Sequence, residues 1–133
     1  MRFLFDTNAV ITFLNGRSLV LCNRIRRAEP TDFAMCSVVW AELYFGAAKS
    51  REKHKTLDKV NDFAATFQNL DFDNDAARHY GEIRADLEKN GNIIGPNDLM
   101  IASIARSKNL VLITNNIDEF NRVKDLKIED WTV

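Results

Sequence analysis

Three acidic residues each stand alone in a long stretch of the chain that carries no other charge. Segments this apolar belong in or beside a hydrophobic core, where an unpaired carboxylate is costly unless something neutralises it. No basic residue is adjacent to any of the three, and Mg²⁺ and Mn²⁺ are held by carboxylate oxygens. If the three converge in the fold, they predict a divalent metal site. They are Asp6 in residues 3–16, Glu42 in residues 33–48 and Asp98 in residues 90–105.

Each carboxylate also has a simpler structural interpretation. Asp6 lies between a predicted strand and a predicted helix, where aspartate is an ordinary N-cap. Asp98 comes two residues after Pro96, in a first helical turn where the helix dipole favours an acid. Glu42 lies inside a predicted helix, so the alternative there is one exposed residue on a mostly buried helix. Taken jointly, the three favour a metal site.

Other catalytic patterns are weaker. His54 and His79 have no second ligand three or four residues away, which argues against zinc. They also give little support to a ribonuclease with a paired histidine acid and base. There is no glycine-rich phosphate loop and no Gly-x-Ser-x-Gly motif. Ser37 and Ser103 lack a nearby base, and we interpret them as a helix cap and a packing residue.

Composition indicates one globular domain over residues 1–133, with 46% hydrophobic and 28% charged residues. The net charge of −1 excludes nucleic-acid binding by bulk charge alone. Any contact with a polyanion would depend on local basic clusters. Such clusters occur at Arg24, Arg26 and Arg27 and in residues 49–55.

The location expected from the sequence is the cytoplasm. The apolar run over residues 3–14 is interrupted by polar residues and precedes no cleavage site, so we do not expect a secretion signal. No stretch approaches the roughly 18 apolar residues of a membrane span. Cys22 and Cys36 form neither a Cys-x-x-Cys motif nor a disulfide framework.

Strands that alternate with helices predict an α/β domain with a mostly parallel sheet. The predicted strands are residues 3–5, 33–36, 70–72, 110–114 and 126–131. The first predicted helix ends at Leu14. The other predicted helices cover residues 18–28, 37–48, 53–70, 75–89, 96–108 and 118–122.

In such sheets ligands bind beyond the carboxyl ends of the strands. Asp6 follows the first strand, and Asn116 closely follows the last clear one. Glu42 and Asp98 lie on helices that can rim the same crevice, so we expect these segments to meet. Two further acids, Asp118 and Glu119, lie nearby, although adjacent acids in a polar turn are usually solvated.

Four segments of the chain form a recognisable set: LFDTN from Leu4, SVVWAEL from Ser37, GPNDLMIA from Gly95 and LITNN from Leu112. They occur in the order found in PIN-domain ribonucleases, and the chain resembles more narrowly the VapC toxins of bacterial toxin–antitoxin pairs. The resemblance runs end to end and includes an Asn-Asn-x-x-Glu-Phe motif and a Glu-Asp-Trp ending.

The resemblance implies a three-layer PIN-like fold, with a short, mostly parallel sheet flanked by helices, and a Mg²⁺- or Mn²⁺-dependent endoribonuclease. By motif, Asp6, Glu42 and Asp98 carry over as the acidic metal site. Many members have an aspartate where this chain has Asn116. Glu119 is then expected to supply the missing carboxylate, which favours one tightly held ion over two.

The resemblance also implies partners. A similar VapC branch cleaves the anticodon loop of initiator tRNA, which makes that tRNA the favoured substrate, and a cognate antitoxin, a homodimer and a toxin–antitoxin hetero-oligomer are expected. A metal-activated water would leave a 5′-phosphate and a 3′-hydroxyl. Basic residues near the crevice are expected to hold the RNA backbone. The arginines considered for this role are Arg17, Arg24, Arg27 and Arg84.

An antitoxin could inhibit the enzyme by occupying its acidic pocket. We expect an amphipathic helix to pack in an apolar groove and send an arginine among the carboxylates. Trp40, Tyr44 and Phe45 are the groove residues considered, although their pattern is more typical of a core.

Two other classes of protein remain open alternatives. One is a phosphoryl-transfer protein: the receiver type requires paired acids at the first strand, and the haloacid-dehalogenase type requires Asp-x-Asp. This chain has Asp6-Thr7-Asn8 at that place. A catalytically weak or inactive PIN-like binding module stays open because of Asn116.

Overall fold

The computed structural model describes residues 1–133 and has a sheet of five short strands at its centre. The strands are β1 (Phe3–Phe5), β2 (Phe33–Cys36), β3 (Gln68–Leu70), β4 (Val111–Ile113) and β5 (Lys127–Glu129). Their spatial order is β3-β2-β1-β4-β5, and all four neighbouring pairs are parallel. Parallel neighbours require crossover connections, and the predicted α/β class is confirmed.

Seven α-helices make those connections and flank the sheet. Within the two flanks, α3 packs on α4 and α5 packs on α6. No helix is both long and apolar enough to span a bilayer. The helices are α1 (Thr7–Leu14), α2 (Leu19–Arg27), α3 (Ser37–Ala48), α4 (Lys53–Ala65), α5 (Asn74–Lys89), α6 (Pro96–Ser107) and α7 (Ile117–Phe120).

Helix starts follow the capping signals in the sequence. The Ser18 hydroxyl accepts a hydrogen bond from the Leu21 backbone N–H at 3.1 Å, and Asp73 caps α5 in the same way. Pro96 occupies the first turn of α6, where its missing N–H costs nothing. Local chemistry therefore accounts for the starts of α2, α5 and α6.

An aromatic cluster anchors one face of the sheet. Phe5 is fully buried, stacks on Phe33 with ring centroids 4.8 Å apart, and meets Phe63 of α4 at 5.3 Å. Phe67, just beyond α4, contacts Phe5 at 5.2 Å. Since alternate residues of a strand share one face, Phe3 joins the same cluster and lies 5.6 Å from Phe33. These contacts fix β1 and β2 against α4.

Two boundaries differ from the prediction. The helix predicted over residues 53–70 ends at Ala65, and the third strand is Gln68–Leu70 rather than residues 70–72. The Thr66 hydroxyl donates back to the Asp62 carbonyl at 3.1 Å, and the Phe67 N–H turns to the Ala64 carbonyl. Phe67 has the spacing of a core residue of the helix, but it lies in the turn after α4 and its side chain packs into the core from there.

The predicted cap at Ser37 is wrong. Cys36 holds the N-cap position of α3, and the Ser37 hydroxyl instead donates to Asp71 at 2.8 Å. Ser103 does pack within α6, where its buried hydroxyl donates to the Leu99 carbonyl at 2.6 Å.

The core expectation for the aromatic residues of α3 is wrong for two of them. Tyr44 is 42% exposed and Phe45 is 66% exposed, whereas Trp40 is partly buried against the core. The apolar residues of α3 are distributed all round the helix, so their spacing in the sequence could not distinguish its buried face from its exposed face.

The strand order reverses beside β1, and this creates the crevice of the fold. From β1 the chain builds β2 and β3 on one side, then returns to place β4 and β5 on the other. Parallel sheets bind ligands at such switch points, outside the carboxyl ends of the strands. Asp6 directly follows β1 and Thr114 directly follows β4, and the Asp6 N–H donates to the Ile113 carbonyl at 3.0 Å.

We predict that Phe33→Ala lowers the free energy of unfolding by about 3–5 kcal/mol, because it leaves a cavity beneath β1 and β2. Urea denaturation followed by circular dichroism measures this. Phe72→Ala is the matched control, because Phe72 is 36% exposed and lies outside the cluster. Equal losses in the two variants would contradict the assigned core.

Candidate acidic active site

Buried polar residues concentrate at the carboxyl ends of β1 and β4. Only four of the 37 buried residues are polar or charged. Ser103 is satisfied inside α6, and the other three, Asp6, Thr7 and Thr114, belong to one hydrogen-bonded group. A fold rarely buries such groups without partners, so this cluster marks the site.

Asp6 is held from both sides. Its Oδ1 accepts from the Thr7 backbone N–H at 2.8 Å, and its Oδ2 accepts from Thr114 Oγ1 at 2.8 Å. The predicted N-cap role of Asp6 is therefore real. Thr114 Oγ1 in turn accepts from the Asn116 N–H at 3.0 Å, which fixes the turn after β4.

Glu42 is partly buried and tied to the same group. Thr7 Oγ1 donates to Glu42 Oε1 at 2.8 Å, a contact across 35 residues of sequence. Glu42 is therefore not simply an exposed residue on a buried helix, and α3 presents its carboxylate beside Asp6.

Asp98 and Glu119 form a second acidic pair. Asp98 lies in the first turn of α6 and Glu119 lies in α7, close enough for Glu119 to raise the pKa of Asp98. Glu119 Oε2 also accepts from Asn116 Nδ2 at 3.0 Å. Asn116 thus orients a nearby carboxylate.

Burial and mutual repulsion raise the pKa values of two of these acids. Burial raises the pKa of Asp6, against the opposing effect of its hydrogen bonds from Thr114 and Thr7. Burial, the hydrogen bond with Glu119 and the charge of Asp6 raise the pKa of Asp98 from 3.8 to about 7. The cluster therefore holds more negative charge than its own hydrogen bonds compensate.

Cys36 lies close enough to feel these charges, but it is not a nucleophile. Burial, with added repulsion from Asp6 and Glu42, raises the pKa of its thiol to about 11. The thiol stays protonated near neutral pH.

The acids surround an open cleft of about 650 Å³. Its only basic lining residue is Lys49, and the other charged residues in its wall are all acids. The lining residues are Asp6, Thr7, Asn8, Ile11, Ala41, Glu42, Phe45, Gly46, Lys49, Asn97, Asp98 and Asn116.

Comparison with known proteins identifies the family. The sequence pattern of the family described as PIN domain matches residues 3–126. The chain is 37% identical to "Ribonuclease VapC2" of Haemophilus influenzae over 131 residues, which cover 98% of both chains. It is also 37% identical to "tRNA(fMet)-specific endonuclease VapC" of Salmonella typhimurium, again over 98% of both chains. The chain belongs to the PIN-domain family, in its VapC branch.

Solved VapC structures share the whole fold. The toxin chain of a DNA-bound VapBC complex from Salmonella typhimurium superposes with a TM-score of 0.93 at 37% identity, over 98% of both chains. A chain of VapBC2 from Rickettsia felis, bound to a promoter DNA fragment, gives a TM-score of 0.91 at 37% identity, over 98% of this chain and 99% of that one.

The PIN-domain cleft gathers most, but not all, of the residues predicted from the sequence. Asp6, Glu42 and Asp98 line it, and Glu119 adjoins it through its contacts with Asn116 and Asp98. Asp118 is exposed and does not line it.

None of the four arginines considered for RNA binding lines the cleft. Arg24 and Arg27 line a different cavity, with Phe3 at the amino end of β1. The expectation that they border the acidic crevice is wrong: Arg24 instead forms an ion pair with Glu129 at 3.7 Å and lies over the ring of Trp131.

Sequence reasoning gave no site role to Thr7 or Thr114, and it included Lys49 only in the basic run over residues 49–55 as a possible contact with a polyanion. The two threonines directly follow strands and adjoin predicted site residues, which is a usable signal for hydroxyls that orient carboxylates. Lys49 is the C-cap residue of α3 and lies seven residues after Glu42, so it falls on the same side of the helix.

The donor set of this PIN domain fits a hard divalent cation. No three of its His, Cys, Asp and Glu side chains already lie close enough together to hold a metal by themselves. Mg²⁺ does not need such a cage, since it is usually held by one or two carboxylates and keeps several waters. Uncompensated carboxylates around an open cleft match that requirement.

We predict that Asp98→Asn stabilises the metal-free protein at about pH 8, by about 1 kcal/mol after allowance for solvent screening. The pKa of Asp98 is raised in the folded state, so its contribution to stability is present at low pH and is lost as the pH rises from about 4 to about 7. The gain should therefore vanish in acid, where Asp98 is already protonated.

Urea denaturation in EDTA at several pH values measures the gain. Asp58→Asn, at an exposed position on α4, is the control and should show no such pH dependence. A gain of the same size at every pH would contradict the assigned repulsion.

Proposed function

We propose that this PIN domain is a Mg²⁺- or Mn²⁺-dependent endoribonuclease toxin whose substrate is tRNA, with the anticodon loop of initiator tRNA favoured. The observation that carries the proposal is the meeting of Asp6, Glu42, Asp98 and Glu119 at the switch point of the sheet. The names of two similar proteins, a ribonuclease and a tRNA(fMet)-specific endonuclease, support the same chemistry and substrate.

Asp6 and Asp98 are the proposed main metal ligands. Asp6 is fixed by Thr7 and Thr114, so its oxygens need no reorganisation when a cation binds. A bound Mg²⁺ or Mn²⁺ would polarise the scissile phosphate and lower the pKa of an attached water.

Glu42 and Glu119 are proposed to complete the site. Thr7 holds one Glu42 oxygen, which leaves the other to accept from the attacking water or to serve as a ligand. Asn116 holds one Glu119 oxygen in the same way. We propose that Glu119 thereby replaces the carboxylate that Asn116 lacks.

We predict cleavage of a bacterial tRNA pool by the purified protein with Mg²⁺ or Mn²⁺, and loss of cleavage in EDTA. Asp98→Ala should reduce the rate by at least about a hundredfold, because it removes a charge that acts on the transition state. Asp58→Ala is the control and should cleave normally.

The products distinguish this mechanism from attack by the RNA 2′-hydroxyl. Water as the nucleophile leaves a 5′-phosphate and a 3′-hydroxyl, and a 2′,3′-cyclic phosphate would contradict the mechanism. Metal binding without cleavage of any RNA would favour the non-catalytic binding module.

We further propose that a cognate antitoxin closes the cleft, which is supported by similar chains solved in VapBC complexes. An apolar groove of about 580 Å³ lies beside α1, α2 and α4. A smaller cavity shares Leu14 and Lys59 with that groove and shares Ile11, Glu42 and Gly46 with the acidic cleft. The aromatic and aliphatic residues of the groove are Phe13, Leu14, Ile25, Ala28, Phe63 and Phe67.

This continuity suits an antitoxin helix in the groove with a basic side chain that reaches the carboxylates. The placement differs from the one expected on Trp40 and Tyr44. Those two rings stack on each other with centroids 4.9 Å apart, and Tyr44 donates to Asn61, so neither lines the groove or the cleft.

We predict that Leu14→Arg weakens antitoxin binding by at least about tenfold, because it places a charge in the apolar groove. Isothermal titration calorimetry with the cognate antitoxin measures this. Phe72→Arg is the control, since Phe72 lines neither cavity. Unchanged affinity in a folded Leu14→Arg protein would contradict the placement.

A further inference from the structure

One face of α3 lines the acidic cleft over two helical turns. Glu42, Phe45, Gly46 and Lys49 are spaced by three, four and seven residues, so they lie on the same side of the helix. This strip carries a proposed catalytic carboxylate at one end and the only basic lining residue at the other. Phe45 and Lys49 have no part in the metal chemistry described above.

Phe45 is the most exposed aromatic side chain in the protein, at 66%. Its ring pairs with no other aromatic ring, and Lys49 Nζ lies 4.7 Å from its centroid. An apolar ring of this size on the wall of a polar cleft offers a flat face to a ligand. Unpaired nucleic-acid bases stack on such faces.

Lys49 takes part in none of the ion pairs of the protein, and its ammonium group contacts one face of the Phe45 ring. A cation in a cleft of acids is suited to a phosphate, because it offsets their repulsion of a polyanion. Along the axis of α3, Lys49 lies about 10 Å from Glu42, since a helix rises 1.5 Å per residue. Lys49 would therefore meet a phosphate beyond the one cleaved.

Gly46 lies between Phe45 and Lys49 on this strip and contributes no side chain to it. A glycine inside a helix is less stable than alanine. A Cβ at Gly46 would meet no atom within 4 Å, so nothing in the free protein requires glycine there. Because Gly46 has no side chain, nothing projects into the cleft between the ring of Phe45 and the ammonium group of Lys49.

We propose that Phe45 and Lys49 form a nucleotide subsite in which an unpaired base stacks on Phe45 and the adjoining phosphate binds Lys49. This inference rests on the proposed ribonuclease function, and it restricts the substrate at this site to single-stranded or looped RNA. A paired base has no free face to stack on the ring. We assign the strip to RNA rather than to the antitoxin because Phe45 and Lys49 do not line the apolar groove proposed for the antitoxin helix.

Binding to a catalytically inactive background tests the subsite. The probe is a short single-stranded RNA that contains 2-aminopurine, titrated with Mg²⁺ present into Asp98→Ala protein, and its duplex is the comparison. We expect tighter binding of the single strand. Adding Phe45→Ala should weaken that binding about tenfold, and Phe45→Tyr should retain it. Phe72→Ala is the matched aromatic control and should change nothing.

Salt dependence tests the role of Lys49. Lys49→Gln should weaken binding severalfold and reduce the slope of log affinity against log salt by about 0.7, the value for one phosphate contact on a single strand. Lys49→Arg should restore both. In the cleaving enzyme, Phe45→Ala should act mainly on KM for tRNA and leave kcat within a few fold.

The outcomes separate this inference from the proposed function. Normal tRNA cleavage with an unchanged KM in Phe45→Ala would overturn the subsite and leave the ribonuclease intact. Weaker antitoxin binding in Phe45→Ala with unchanged RNA affinity would also overturn it and assign the ring to the antitoxin. Phe45-dependent binding of single-stranded RNA without cleavage by the wild type would support the subsite and contradict the nuclease.

Discussion

Repulsion between carboxylates held at one edge of the sheet is the constraint on which the other features of this structure depend. Asp6 is buried and fixed by two hydrogen bonds, yet burial still raises its pKa. Asp98, which faces Glu119, has a pKa raised to about 7. The rest of the fold must offset the unfavourable free energy of this repulsion. A cation or a cationic side chain that enters the cluster would remove the repulsion and stabilise the folded state.

The fold supplies that support through short, rigid connections to the core. Phe5 and Phe33 stack beneath β1 and β2, and the residue after Phe5 is Asp6 itself. The same strand end carries Thr7, which reaches α3 and positions Glu42. The packing of the core and the geometry of the site are therefore coupled within a few residues of chain.

The sequence predicted the acidic cluster because a lone charge in an apolar stretch must be buried or at the edge of a core, and Asp6, Glu42 and Asp98 all obey that rule. It could not assign the threonine contacts, because Thr114 meets Asp6 across 108 residues and only the tertiary fold brings them together. The parallel sheet and most helix boundaries followed from periodicity and capping. The exposed position of Phe45 did not, since apolar residues surround α3 on all sides.

The central claim is that these carboxylates form a divalent cation site, and a Mn²⁺ titration tests it most directly. Electron paramagnetic resonance measures free Mn²⁺ in the presence of the wild-type protein, Asp6→Asn, Asp98→Asn and the control Asp58→Asn. The account predicts saturable binding by the wild type and by Asp58→Asn, with at least about tenfold weaker binding by the two site variants. No saturable binding by the wild type, or equal binding by all four proteins, would contradict it.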